Sequence, residues 1–165
     1  MSLDTEQSLY REQLLEHLLL GELLSHSWLH DSASLEISQP AIDRAGHDVV
    51  LEAHRITRHV QLKSSAIGSK TARQTIHLAL CEKPSGCVVW VQFDRATLKL
   101  GPFWFLGGAP GKRLEDIGGL PVAKHAKGNA KGIKLERPNL RIVNRGKFTR
   151  VESIQELYRA LFGVG

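Results

Sequence analysis

The first apolar pattern along the chain has the period of a helix. Within residues 4–30, the apolar positions that carry this period are Leu9, Leu15, Leu18, Leu19, Leu23 and Trp28. Positions three and four apart share one face of a helix, so the spacing predicts a long amphipathic helix with a broad buried side. Asp4 or Thr5 is suited to cap its start.

Alternation of apolar and polar residues follows, and it predicts strands. SLEISQ (34–39) forms the first strand, and Pro40 with the turn residues DRAG ends it. HDVVLEA (47–53) and RHVQLKS (58–64) form the next two, joined by two to four residues. These two strands are close enough in sequence to form a hairpin.

The middle of the chain mixes helical and strand signals. KTARQTIHLALCE (70–82) predicts a helix by its apolar content, although TIHLAL also has strand character. CVVWVQF (87–93) is a nearly continuous apolar run, typical of a strand covered on both faces in a central parallel pairing. LKLGPFWFLG (98–107) predicts a further strand or strand pair.

The last third of the chain begins with a glycine-rich, basic segment. Residues 108–150 have weak periodicity, which predicts loops and short strands packed on the core, with part of the segment mobile. VESIQELYRALFG (151–163) predicts a helix started by Glu152 or Ser153 and ended by Gly163. The whole pattern predicts one α/β domain over residues 1–165, with a core at about 5–107.

Positive charge is concentrated in the basic segment. Residues 112–150 hold eleven Lys or Arg against three acids, a local net charge of +8 in a chain whose net charge is +5. Such asymmetry indicates a surface that meets a polyanion, of which nucleic acid is the commonest, although a solvated basic face has the same composition.

Other features of the composition limit the class of protein. Cys81 and Cys87 are too few for a disulfide framework, and no partner pair makes them a zinc site. No apolar run approaches the roughly 20 residues of a membrane span, and the start lacks a basic leader or cleavage site. We therefore expect a cytoplasmic protein with inert thiols.

The predicted hairpin places charged and amide groups together. Side chains alternate along a strand, so Val49 and Leu51 share one face with Val60 and Leu62. The opposite face then holds four groups that chemistry can use, which are Asp48, Glu52, Gln61 and Lys63. Three nearby histidines, His47, His54 and His59, have no spacing suited to zinc or a triad, and we expect them to be surface or hydrogen-bonded groups.

These residues carry a resemblance to a known family. Asp43, Gly46 and Asp48 in DRAGHD, followed by Gln61 and Lys63 in QLK, resemble the PD-(D/E)XK nuclease superfamily. The QxK form is that of Mrr-type restriction enzymes. The resemblance covers roughly residues 10–95 and implies a restriction-endonuclease-like αβββαβ core with a mixed sheet flanked by helices. Residues 108–150 would then be a basic extension.

The resemblance also implies a metal site. Asp48 would be the main ligand of Mg²⁺ or Mn²⁺, and Gln61 would add its amide oxygen. Lys63 would orient the attacking water or stabilise the developing negative charge. A neutral Gln leaves this site one charge short of the usual acidic form.

A glutamate from the leading helix often completes such QxK sites. Glu22 is the best positional match, and Glu16 and Glu12 are alternatives. Glu52 is a secondary candidate because it lies farther along its strand from Asp48. We expect Asp43 to cap or bend the turn before Gly46.

The expected substrate is DNA. Lys70 and Arg73 would reach phosphates beside the site from the start of the following helix. Backbone contacts without base reading suit four lysines of the basic segment, Lys124, Lys127, Lys131 and Lys134. The aromatic residues Trp90, Phe103, Trp104 and Phe105 are expected in the core, with base stacking by one of them as the alternative.

The sequence therefore predicts a metal-dependent nuclease. The alternatives are a nucleic-acid-binding module of the same fold without turnover, and an interaction subunit that uses the fold as a scaffold. A homodimer through residues 103–105 and a partner protein that confers specificity are further hypotheses.

Overall fold

The structure, a computed structural model, describes residues 3–42 and 46–164, with side chains from residue 7 onward. It is a mixed α/β fold with two α-helices, α1 (Leu3–His30) and α2 (Ile154–Phe162). The strands are β1 (Glu36–Ser38), β2 (Val49–Ala53), β3 (Ile56–Ala66), β4 (Arg73–His77), β5 (Gly86–Phe93), β6 (Leu100–Gly107), β7 (Val122–Lys124), β8 (Glu136–Asn144) and β9 (Thr149–Val151). Turns of 3-10 helix span Leu78–Glu82 and Arg145–Lys147.

Six strands form a mixed central sheet in the order β1-β2-β3-β5-β6-β9. The pair β3 and β5 is parallel, and the other neighbours are antiparallel. Seven of the eight residues of β5 are buried. The predicted central strand with a parallel partner is therefore confirmed.

The two faces of the central sheet have different covers. Leu15, Leu19 and Leu23 of α1 pack with Leu157 and Leu161 of α2 on one face. A second, three-stranded sheet in the order β4-β8-β7 lies on the other face, where its buried side chains pack around Trp90. The expected mixed sheet is therefore present, with helices on one face and the second sheet on the other.

The helix expected at residues 70–82 is wrong. The segment forms β4 and then a 3-10 turn, in which Nδ1 of His77 accepts a hydrogen bond from the backbone N–H of Ala79 at 3.1 Å. β4 pairs antiparallel with β8, with Ile76 opposite Arg141, and the Ile76 side chain is fully buried. This distant partner decides between the helical and strand patterns that the local sequence allows.

The basic segment is more regular than its sequence indicates. β8 is nine residues long and pairs with β4 at one end and with β7 at the other. β9 joins the edge of the central sheet beside β6. The segment thus supplies two strands of the second sheet and one strand of the first.

A hydrogen-bonded network joins the end of α1 to the β2–β3 turn and to α2. The Asp31 carboxylate contacts Nε2 of His54 at 2.7 Å and accepts hydrogen bonds from Tyr158 Oη and Ser34 Oγ, both at 2.5 Å. Burial alone would raise the pKa of Asp31, but the hydrogen bonds from Ser34, Tyr158 and His54 outweigh it and hold the pKa below its ordinary value. His54 is thus a hydrogen-bonded residue, as expected.

Arg58 is fully buried on β3 and holds the end of α2 against the sheet. Its Nε donates to the carbonyl of Leu161 at 2.9 Å, and its Nη2 donates to the carbonyls of Ala160 and Gly108 at 3.1 and 3.0 Å. Its guanidinium also lies 5.6 Å from the ring centroid of Phe105. A cation at the carboxyl end of a helix satisfies carbonyls that have no partner within the helix.

The two thiols lie in different environments. Cys87 is completely buried, and burial raises its pKa to about 12. Cys81 is half-buried, and its Sγ lies 3.5 Å from the carbonyl oxygen of Glu115. Although α1 has 28 residues, no helix in the described ranges combines the length and apolar character that crossing a membrane requires.

Candidate functional site

A groove opens where β2 ends and β3 continues. The pairing of these strands extends only to Val49 and Val60, whereas β3 runs on to Ala66 beside β5. The groove has a volume of about 540 Å³ and lies between this part of β3 and the first half of α1. Its polar lining consists of Glu12, Gln13, Glu16, Asp48, Lys63, Ser64 and Gln74.

Asp48 is fixed at the point where the two strands separate. Its backbone N–H donates to the carbonyl of Val60 at 2.8 Å, which extends the ladder by one bond. Its Oδ2 accepts a hydrogen bond from the backbone N–H of Leu62 at 2.6 Å. The carboxylate therefore accepts a β3 hydrogen bond that the backbone of a neighbouring strand would otherwise accept. This bond holds it at the floor of the groove.

Glu16 brings a second carboxylate to the same groove from α1. Burial, followed by the negative charge of Asp48, raises the pKa of Glu16, and His17 and a hydrogen bond from Gln39 lower it in part. The two carboxylates repel each other, and a cation between them would relieve that repulsion. Glu16 was one of the two alternatives to Glu22 that the sequence leaves open.

Lys63 and Gln74 complete the polar lining from the other side. Lys63 lies on β3 one position after Leu62, whose N–H holds Asp48. Gln74 lies on β4, and its Nε2 is buried with no hydrogen-bond partner among the described residues. A buried amide without a partner is costly, so the groove is suited to a ligand that brings a hydrogen-bonding group.

Gln61 does not line the groove. Its Oε1 accepts a hydrogen bond from the backbone N–H of His77 at 3.3 Å, and the side chain is half-buried against β4. The amide thus ties the two sheets together. The metal-ligand role expected for Gln61 has no support in these contacts, since its oxygen already has a partner.

Glu22 and Glu52 also lie away from the groove. Glu22 is exposed on α1 and lines a different depression together with Ile154 at the start of α2. Glu52 accepts a hydrogen bond from Oγ1 of Thr57 at 3.2 Å, about 13 Å along β2 from Asp48 at the usual strand rise. The geometry therefore favours Glu16 over Glu22 as the helix carboxylate of the groove, because Glu16 lies beside Asp48.

Gly46 packs the segment before Asp48 against β4. Its φ is +72°, and a Cβ there would lie 2.6 Å from Cγ of His77 and closer still to its Cβ. Glycine tolerates both the positive φ and the close approach. Asp43, which we expected to shape this turn, lies outside the described residues.

We expect Gly46→Ala to lower the free energy of unfolding by about 1–3 kcal/mol, because the methyl group overlaps His77 in a strained backbone conformation. Urea unfolding measures the change. Gly21→Ala on α1 is the matched control, since its Cβ would meet nothing within 4 Å. That variant should gain about 0.5–1 kcal/mol from helix propensity. An unchanged stability for Gly46→Ala would contradict the close packing.

The basic residues predicted to bind nucleic acid fall into two places. Lys70 and Arg73 are exposed near Gln74, which lines the groove, but Lys70 precedes β4 and Arg73 begins it, so neither residue opens a helix. Lys124 lies on β7, and the other three lysines, Lys127, Lys131 and Lys134, lie in the exposed loop that leads to β8. We call residues 124–136 the lysine hairpin.

The lysine hairpin does not line the groove. Gln74 is paired with Val143 on β8, whereas Lys124 is paired with Glu136 at the other end of the same strand. The β7–β8 register shifts between these positions, and none of the four lysines is among the residues that line the groove. The four lysines therefore do not border the two carboxylates.

The aromatic residues of β5 and β6 are mainly core. Trp90, Phe103 and Phe105 are buried, and the predicted homodimer through residues 103–105 remains a prediction. The side chains of Phe103 and Phe105 do not reach the surface, and Trp104 between them is half-buried. The exposed large apolar side chains of α1 include Leu24, Trp28 and Leu29 near its end.

The groove supplies few ligands for a metal ion. Among the described residues, no three His, Cys, Asp or Glu side chains are grouped closely enough to hold a metal. A cation would thus depend on Glu16 and Asp48 together with water or substrate oxygens. This donor set suits Mg²⁺, which usually binds one or two carboxylates and keeps several waters.

No family model matches this chain, and no curated protein matches it. The interpretation of the groove therefore rests on its residues and their geometry.

Proposed function

We propose that this protein is a metal-dependent nuclease that hydrolyses DNA phosphodiester bonds in the groove between α1 and β3. The observation that carries the proposal is the pairing of two carboxylates, in which burial and Asp48 raise the pKa of Glu16 beside Lys63. Carboxylates that repel each other next to a lysine form an arrangement suited to a cation and a phosphate.

Each side chain of the groove has a separate role in this proposal. Asp48 and Glu16 would hold the cation, with Asp48 oriented by the N–H of Leu62. Lys63 would contact the substrate phosphate and stabilise negative charge that develops in the transition state. Gln74 also lines the groove, and its amide would donate to a phosphate oxygen once the side chain turns toward the ligand.

A bound Mg²⁺ or Mn²⁺ would supply charge neutralisation at the phosphate and a water of lowered pKa. The two carboxylates fit such an ion because both are oxygen donors and the repulsion between them falls when a cation binds. The protein's own part is to fix these oxygens at the open edge of β3, where a phosphodiester can approach.

The second candidate is a nucleic-acid-binding module without turnover. The observation that favours it is Gln61, a neutral residue whose amide oxygen is already bonded to His77. The site then lacks the third protein oxygen that a stronger metal centre would have. Both candidates predict salt-sensitive DNA binding, but only the nuclease predicts cleavage that depends on metal.

The deciding experiment is cleavage of linear, nicked and branched DNA by the wild-type protein with Mg²⁺, with Mn²⁺ and with EDTA. We expect cleavage with either metal and none with EDTA. Lys63→Ala should reduce the cleavage rate by about 100-fold, comparable with loss of one group that stabilises transition-state charge. Its affinity for DNA should fall much less, because a single phosphate contact is lost.

The same samples separate the two candidates. DNA binding by the wild-type protein without cleavage under any metal condition would refute the nuclease and leave the binding module. Cleavage that persists at the wild-type rate in Lys63→Ala would place the chemistry elsewhere in the molecule.

A further inference from the structure

The side chains of Arg145 and Arg150 both contact the indole ring of Trp104, outside the groove. The guanidinium carbons of Arg145 and Arg150 lie 5.2 Å and 5.8 Å from the ring centroid of Trp104. The indole is held in place because its Nε1 donates to Oε1 of Gln92 at 3.2 Å. A guanidinium stacked on an aromatic ring keeps its in-plane N–H donors directed outward, where a phosphate can accept them.

One acid pairs with this cluster. Glu152 contacts Nε of Arg150 at 2.5 Å, with the two side chains 60% and 53% exposed. An ion pair in this much solvent stabilises the protein little, and a polyanion can displace the glutamate. Lys147 is exposed between the two arginines in sequence and adds a third positive charge.

The strand register gives the distance from the groove to the cluster, although Trp90 between them is buried beneath the second sheet. Lys63 is paired with Trp90, Trp90 with Trp104, and Trp104 with Arg150. These residues form one row across four neighbouring strands. The row spans three strand spacings, so the Cα of Arg150 lies about 14 Å from the Cα of Lys63.

A second chain of contacts follows the edge of the other sheet. The backbone N–H of Arg145 donates to the carbonyl of Ala72 at 2.9 Å. The next residue, Arg73, is exposed, and Gln74 after it lines the groove. Arg73, Arg145 and Arg150 thus form what we call the arginine track, which leads away from the groove.

We propose that the arginine track binds the phosphodiester backbone of the DNA strand whose scissile phosphate lies in the groove. This inference rests on the proposed function. The span of about 14 Å exceeds the reach of a single phosphodiester but not that of a strand of several nucleotides. The lysine hairpin lies at the opposite end of β8 and is not on this path.

The test compares two variants with the same change in charge. The track variant carries Arg145→Gln and Arg150→Gln, which remove two of the three charges of the arginine track. The lysine-hairpin variant carries Lys127→Gln and Lys131→Gln, which remove two charges from the lysine hairpin. Binding of a fluorescent dinucleotide and of a fluorescent single strand of about 12 nucleotides is measured by anisotropy in EDTA, so that no cleavage occurs. Circular dichroism establishes that both variants are folded.

The track variant should bind the longer strand about tenfold more weakly at roughly 0.15 M salt. Its slope of log K against log salt should fall by about 1.4, for two phosphate contacts on a single strand. The dinucleotide has one phosphodiester, which cannot lie in the groove and at Trp104 at once, so the variant should bind it like the wild type. The lysine-hairpin variant should change the affinity for either strand by less than about twofold, because its lysines lie outside the groove and the arginine track.

Equal losses in the two variants would overturn the track and indicate a diffuse basic surface. A wild-type protein that binds neither strand would overturn it as well. Because binding is measured without metal, a track variant that loses affinity supports the track even if the cleavage assay refutes the nuclease. Normal binding by that variant beside metal-dependent cleavage would refute only the track.

Discussion

Replacement of Arg58 by methionine is expected to lower the free energy of unfolding by about 3–5 kcal/mol. The guanidinium makes three hydrogen bonds to backbone carbonyls, at Gly108, Ala160 and Leu161. Methionine fills much of the space but donates no hydrogen bond. The two carbonyls at the end of α2 and the carbonyl of Gly108 then lose their charged donor. Urea unfolding followed by circular dichroism measures the change, which corresponds to a fall in Tm of about 10 °C for a chain of this length.

Arg95→Met is the matched control for this prediction. Arg95 is exposed in the turn between β5 and β6, so its replacement should change stability by no more than about 0.5 kcal/mol. Arg58→Lys separates charge from geometry, because an ammonium group cannot reproduce the arrangement of Nε and Nη2 donors. It should recover only part of the loss. A stability for Arg58→Met within about 1 kcal/mol of the control would contradict this account.

The place of Arg58 could have been read from the sequence, but the chemistry of its partners could not. Alternation along the hairpin puts Arg58 on the same face as Val60 and Leu62, which pack in the core. A charged residue on an apolar face must find partners. Those partners include the carbonyls that end α2, about a hundred residues later in the chain, and no local pattern indicates that pairing.

Elements with local signals were predicted well. The helix α2 has the predicted cap, since Oγ of Ser153 accepts a hydrogen bond from the N–H of Glu156, and it ends at Gly163 in the left-handed region. The segment 70–82 was predicted incorrectly because its structure depends on β8, which lies far away in sequence. Propensity is a weak guide where a distant strand supplies the hydrogen bonds.

The residues of the candidate site also divide into those that local sequence predicts and those that depend on distant packing. The sequence predicted Asp48 and Lys63, and the structure brings both to one groove. It favoured Glu22 over Glu16, and only Glu16 lines the groove, because both lie in leucine-rich surroundings and the sequence does not separate them. Six residues advance a helix by about 9 Å and turn it through about 240°, so only one of the two can face β3. That choice depends on how α1 packs.

The second large expected effect is the loss of cleavage when the carboxylate of Asp48 or Glu16 is neutralised. We expect Asp48→Asn to reduce metal-dependent cleavage by about 1,000-fold or more and Glu16→Gln by about 100-fold or more, since each removes one charge from the cation site. Both changes preserve shape. The asparagine amide oxygen can still accept from the N–H of Leu62, and the glutamine amide oxygen can still accept from Gln39. Glu22→Gln should retain cleavage within about twofold, because Glu22 lines the depression beside Ile154.

The affinity for Mn²⁺, measured by calorimetry without DNA, distinguishes a lost ligand from a disturbed fold. Asp48→Asn and Glu16→Gln should each weaken it by about tenfold or more at unchanged Tm. Because burial and Asp48 raise the pKa of Glu16, protons compete with the cation, and wild-type affinity should fall as the pH decreases through that pKa. Glu16→Gln should lose this part of the pH dependence. If Glu22→Gln weakens Mn²⁺ binding and Glu16→Gln does not, the cation lies at the other depression, and the carboxylate that the sequence favoured is the ligand.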